Sequence, residues 1–136
     1  MMLSVAPISM GPLPPGIQPF VLLVDDHEPS LETLRLVVEG AGFYCVARTC
    51  SREALDYCHS RRPALVVTDL AMPHLDGREL AGSLKLRYPT TPIVLVTGEA
   101  LDEDSLAAFA GTFAGVFEKP LRVESFLTLV EGLMAG

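Results

Sequence analysis

The sequence predicts an α/β fold: five βα units forming a five-stranded parallel sheet, doubly wound, with helices on both faces. Three observations carry that expectation. Short continuous apolar runs alternate with segments whose apolar residues recur at helical spacing, the pattern of strands buried on both faces and joined by helical crossovers. Gly and Pro punctuate the boundaries between the two kinds of segment. The strongest runs also end in polar residues, at Asp25-Asp26, Asp69 and Thr97, which a parallel sheet collects at one edge.

Taken in order, residues 1–18 carry no charge and no periodicity and contain several prolines, so they are expected to be a flexible tail or the end of a linker, with the folded domain over 19–135. Residues 20–24 read as the first strand. Pro29 suits a first helical turn, Leu31, Leu34, Val37, Val38 and Ala41 recur along that helix, and Gly40 and Gly42 stop it. Residues 44–47 form a short second strand. Ser51 is expected to cap a helix carrying Ala54, Leu55 and Cys58 inward, finished by Pro63. Residues 64–68 are the third strand. Asp76 can cap the next helix, with Leu80, Leu84 and Leu86 inward and Tyr88-Pro89 as its end. The fourth strand covers 93–96. A helix over roughly 104–113 shows Leu106, Ala107, Phe109 and Ala110, a fifth strand covers 115–117, and a last helix shows Phe126, Leu127, Val130 and Leu133.

Composition narrows the function. A chain of 136 residues with 49% hydrophobic content supports one domain with a real core. A net charge of −7 argues against nucleic-acid backbone as a direct partner. No apolar run approaches the ~20 residues a membrane span needs, and the first 20 residues lack the Lys or Arg of a secretory leader, so a cytoplasmic location is expected. Cys45, Cys50 and Cys58 are odd in number and loosely spaced, which fits free thiols better than a disulfide framework or a zinc site. His74 reads as an exposed loop histidine.

The chemistry lies at the strand ends. Asp25, Asp26, Asp69, Thr97 and Lys119 all follow predicted strands and therefore share the carboxyl edge. Three converging carboxylates repel one another unless a cation intervenes, and hard oxygen donors in that number suit Mg²⁺. With Lys119 as a second positive charge and Thr97 as a hydroxyl, a phosphoryl group on one carboxylate would be held from several sides.

The order Asp25-Asp26, Asp69, Thr97, Lys119-Pro120 on five βα units, together with Met72-Pro73-His74-Leu75-Asp76-Gly77, resembles the response-regulator receiver domain of bacterial two-component signalling over roughly 19–135. The resemblance implies a flavodoxin-like strand order, 2-1-3-4-5, with Asp69 accepting phosphate from a histidine kinase or a histidine phosphotransfer protein. It further implies Mg²⁺ ligation by Asp26, Asp69 and the backbone carbonyl of Ala71, with Asp25 holding a metal-bound water. Thr97 and Lys119 would contact the phosphoryl group, the Lys119-Pro120 bond would be cis, and the last two helices would carry the switched surface. The effector would be a domain or protein outside this chain, and no substrate turnover is implied. Two residues depart from the family pattern. Val116 stands where a switch Tyr or Phe is usual, with Phe117 next and expected to face the core. Ala71, two residues after Asp69, offers no group to orient water. A phosphohydrolase of the haloacid-dehalogenase type is the rival enzyme reading, but it needs a second acid at the place of Ala71. A phosphate-independent pseudo-receiver is the rival binding-module reading, and the intact Asp25, Asp26, Asp69, Thr97 and Lys119 argue against it.

Overall fold

The computed structural model describes residues 18–135, so nearly all of the segment expected over 1–18 lies outside the described residues. The elements alternate without exception: β1 (Val21–Val24), α1 (Glu28–Gly40), β2 (Cys45–Arg48), α2 (Ser51–Tyr57), β3 (Leu65–Thr68), α3 (Gly77–Arg87), β4 (Ile93–Thr97), α4 (Glu103–Phe109), β5 (Gly115–Glu118) and α5 (Val123–Ala135). The strands form one five-stranded sheet in the order β2-β1-β3-β4-β5, all parallel, as the resemblance implied.

Successive side chains on a strand point to opposite faces, and the core divides accordingly. Leu22, Val24, Val66, Ile93 and Leu95 pack with α2, α3 and α4 through Ala54, Leu80, Leu84 and Phe109. Val21, Leu23, Leu65, Val67, Val94 and Val96 pack with α1 and α5 through Leu31, Leu34, Val38, Phe126 and Val130. Both faces of every central strand are therefore apolar, which is why those runs show no polar alternation.

Several local expectations need correction. Ser51 is the first residue of α2 and not its cap; its hydroxyl donates instead to the Leu75 carbonyl at 2.7 Å, tying α2 to the β3–α3 loop. Leu86 is 89% exposed, because a residue two positions beyond the inward Leu84 lies about 200° around the helix. Helix α4 is shorter than expected and buries only Phe109, leaving Leu106, Ala107 and Ala110 exposed. Phe109 packs edge-to-face with Phe113 at 5.5 Å, in the cluster that Val116 of the half-buried edge strand β5 also joins. Helix α1 is capped by His27, whose Nδ1 accepts from the Ser30 N–H, a role not read from the sequence. Asp76 caps α3 as expected, in a reciprocal capping box with Glu79.

Gly77 is fixed by packing. Its N–H donates to the Leu70 carbonyl at 2.8 Å, and a Cβ there would sit 2.2 Å from the Asp69 backbone oxygen. Gly77→Ala is expected to destabilise the domain by roughly 1–3 kcal/mol. Gly82→Ala, in the same helix with nothing within 4 Å of its added Cβ, should stabilise it by up to about 1 kcal/mol. Urea midpoints of the two variants check the contrast, which fails if they move in the same direction.

Candidate functional site

Strand register brings the acidic residues together. Val24 pairs with Thr68 across β1 and β3, and the Asp69 N–H donates to the Val24 carbonyl at 3.0 Å, so Asp25 and Asp69 leave adjacent strand tips side by side. On the other side Thr97 pairs with Glu118, and the Lys119 N–H continues that ladder to the Thr97 carbonyl at 2.8 Å, so Lys119 leaves the tip of β5 and its side chain reaches across the edge to Asp25.

Carboxylate oxygens of Asp25, Asp26 and Asp69 all lie within 4.8 Å of one another. Asp25 is fully buried and both its oxygens are used: one accepts from the His27 N–H at 2.9 Å, the other from Lys119 Nζ at 2.9 Å. Asp26 is exposed. Asp69 is 9% exposed; its Oδ1 accepts from the Leu70 N–H at 2.8 Å and its Oδ2 lies 3.8 Å from Lys119 Nζ. Thr97 is buried, and its Oγ1 accepts from the Glu99 N–H at 3.2 Å. The Lys119-Pro120 peptide is cis. The five side chains expected at the site are thus gathered at one edge. Ala71, whose backbone carbonyl was expected to serve, lies beside them on the exposed β3–α3 loop.

One ammonium faces three carboxylates, so with all three ionised two negative charges stay unbalanced. Desolvation holds the Asp69 carboxyl above the usual aspartate value; the neighbouring Asp25 and Asp26 act in the same sense, and the Leu70 N–H and Lys119 only partly oppose them. Asp69 and Asp26, with Asp25 behind them, form a hard oxygen donor set that fits a divalent cation such as Mg²⁺.

An open cleft of about 490 Å³ adjoins Asp69, lined by Leu70, Ala71, Met72, Pro73, Asp76, Arg78 and Glu99. Arg78 and Glu99 were not anticipated, since exposed charges on a helix and a loop carry no distinguishing signal in one sequence. His74, on the loop, is exposed and has a positive φ of 71°. Val116 and Phe117 divide between the faces: Val116 packs toward α4 with Leu101, and Phe117 packs toward α5, edge-to-face with Phe126 at 5.6 Å. Phe117 therefore faces the core, as expected.

The raised Asp69 carboxyl has a stability consequence. A carboxyl that binds its proton more tightly when folded opposes folding once ionised, so its penalty grows as pH rises through the folded titration. In metal-free buffer, Asp69→Asn should melt higher than the wild type at pH 7, and the difference should shrink as the pH is lowered into the carboxylate range. Thermal melts across that range check it; a variant that melts lower at pH 7 contradicts the burial argument.

The chain is 32% identical over 113 residues to an uncharacterised 14.6 kDa protein of Leptolyngbya boryana, covering 82% of this chain and 86% of that one. It is 27% identical to the polar-differentiation response regulator DivK of Brucella anthropi, covering 84% and 94% of the two chains. The non-phosphorylated HemR receiver domain of Leptospira biflexa superposes with a TM-score of 0.76 at 27% identity, over 88% and 96% of the two chains. Other curated relatives are longer, and the chain spans 55% and 23% of two described as transcriptional regulators. The family described as "Response regulator receiver domain" matches residues 21–131, almost every residue that builds the sheet, its helices and the acidic edge, and this chain belongs to it.

Proposed function

We propose that Asp69 is the phosphoacceptor of a two-component phosphorelay, taking its phosphoryl group from a phosphohistidine on a histidine kinase or a histidine phosphotransfer protein. The observation that carries this reading is the convergence of Asp25, Asp26 and Asp69 with Lys119 at the carboxyl edge of the sheet. An Asp69 carboxylate oxygen forms the new P–O bond as the P–N bond to the donor imidazole breaks, and the imidazole nitrogen leaves with the electron pair. Asp26, Asp69 and the Ala71 carbonyl would hold Mg²⁺, with Asp25 behind a bound water. When bound, that cation offsets the excess negative charge and polarises the transferring phosphoryl oxygens. Lys119, 3.8 Å from Asp69, supplies a further positive charge on the same side, and the Thr97 hydroxyl can donate to a phosphoryl oxygen.

The reading makes the chain a phosphorylated switch and not a turnover enzyme, acting in the cytoplasm on an effector domain or protein outside this chain. Among the described residues no helix is long and apolar enough to cross a membrane. The switch has a physical route. Thr97 Oγ1 holds the Glu99 N–H, and at the other end of the same loop the Leu101 N–H donates to the Glu118 carboxylate at 3.3 Å. Movement of Thr97 toward a phosphoryl oxygen would therefore pull a loop tethered to β5, and with it the surface of α4 and α5.

Two outcomes test the reading. A small phosphodonor such as acetyl phosphate should add one phosphoryl group to the wild type only with Mg²⁺ or Mn²⁺ present and none to Asp69→Asn, read by intact mass; equal incorporation in both proteins would sink the assignment. Thr97→Ala should still be phosphorylated but lose most of the amide NMR response of residues 97–104 to beryllofluoride, whereas Val116→Ala should keep most of it. One charge-assisted hydrogen bond, about 1.5–3 kcal/mol, is enough to shift such an equilibrium more than tenfold. If both variants lose the response equally, β5 carries the switch.

A further inference from the structure

The charges of this chain are segregated along the strand axis. The carboxyl edge is acidic, whereas the α2–β3 and α3–β4 connections at the opposite edge are basic. Residues 58–63 and 84–92 contain His59, Arg61, Arg62, Lys85 and Arg87 and no Asp or Glu, so four of the chain's ten Lys and Arg lie there within a molecule of net charge −7. The two segments touch: Arg62 donates to Thr90 Oγ1 at 2.6 Å, and the Tyr88 hydroxyl donates to the Cys58 carbonyl at 2.5 Å.

Among the described residues none of these cations forms an ion pair, in contrast to Arg35, which is held by Glu32 and Glu39 on α1. Neutral groups fix the guanidinium groups instead. Arg61 stacks on the Tyr57 ring at 4.7 Å, with Arg48 on the same ring at 5.0 Å, and Arg87 lies 5.8 Å from the Tyr88 ring centre. The nearest carboxylate along the chain, Asp56 on α2, is exposed and pairs with none of them. Beside Arg87 stands Leu86, 89% exposed and, among the described residues, the most exposed large apolar side chain.

We propose that this basic edge is a docking surface for a partner protein presenting carboxylates beside an apolar side chain. Guanidinium forks match carboxylates in pairs, and rings that already hold the forks reduce the ordering cost of binding. Leu86 supplies the apolar contact that a nucleic-acid backbone would leave unused, and the net negative charge opposes approach to nucleic acid. A second copy fits less well: its carboxylates cluster at the edge of Asp25, Asp26 and Asp69, and that head-to-tail contact would cover the site.

The test is amide NMR of the intact chain titrated with a short synthetic peptide alternating Glu and Phe. Shifts should concentrate in residues 57–62 and 84–92, and Arg62→Glu with Arg87→Glu should weaken binding by about tenfold or more. The doubly substituted chain should keep its circular dichroism and its phosphorylation by acetyl phosphate. Arg62→Lys with Arg87→Lys should bind at an intermediate level, since charge is kept and the fork is lost. No shift in these segments, or equal binding of a peptide with Lys in place of Glu, overturns the proposal. Tighter binding of a DNA duplex to the same amides overturns it in favour of nucleic acid, and shifts that follow the protein's own concentration overturn it in favour of a second copy.

Discussion

The ion pair between Asp25 and Lys119 is the constraint on which the carboxyl edge depends. Asp25 has no exposed surface, and a buried carboxylate is tolerated only when its oxygens are satisfied. One oxygen takes the His27 N–H and the other takes Lys119. The two residues directly follow β1 and β5, which lie three strand spacings apart, roughly 14 Å. The gap is closed by the lysine stem and the Asp25 side chain reaching toward each other across the strand tips, while the Lys119 N–H continues the ladder to the Thr97 carbonyl. The lysine stem passes over Gly98, where its Cδ would stand 3.9 Å from an added Cβ, an ordinary van der Waals contact.

Gly77 plays the corresponding part on the other side of Asp69. Asp69 emerges from a strand whose position is set by apolar packing on both faces, and the start of α3 closes against its backbone so tightly that no side chain fits. The Asp69 carboxylate is thus placed by main-chain hydrogen bonds and close backbone contact, while its charge is left partly uncompensated. Positional rigidity and electrostatic deficit together suit the edge to a cation.

Much of this was legible in the sequence. Apolar runs buried on both faces are hard to mistake, and a carboxylate, hydroxyl or ammonium immediately after each run falls at the same edge whatever the details of the helices. The strand order needed the family resemblance, because right-handed crossovers allow more than one order. The expectations that failed concern which side of a helix faces inward and which group caps it. Leu86 looked like a core residue by type but lies on the far side of α3, and Ser51 looked like a cap but spends its hydroxyl on Leu75. Arg78, Glu99 and the Glu118–Leu101 hydrogen bond depend on how loops meet in space, and single-chain periodicity carries no record of that.

The placement of the phenol rings has an optical consequence. The chain has no tryptophan and three tyrosines, Tyr44, Tyr57 and Tyr88. Tyr44 precedes β2, while Tyr57 and Tyr88 close α2 and α3, so all three belong to the edge opposite Asp69, a strand length of about 13 Å away. Their near-ultraviolet absorbance and emission are therefore insensitive to direct quenching by a phosphoryl group. A change in tyrosine emission on phosphorylation would instead be a readout of mechanical transmission through the sheet, obtained from the unlabelled protein.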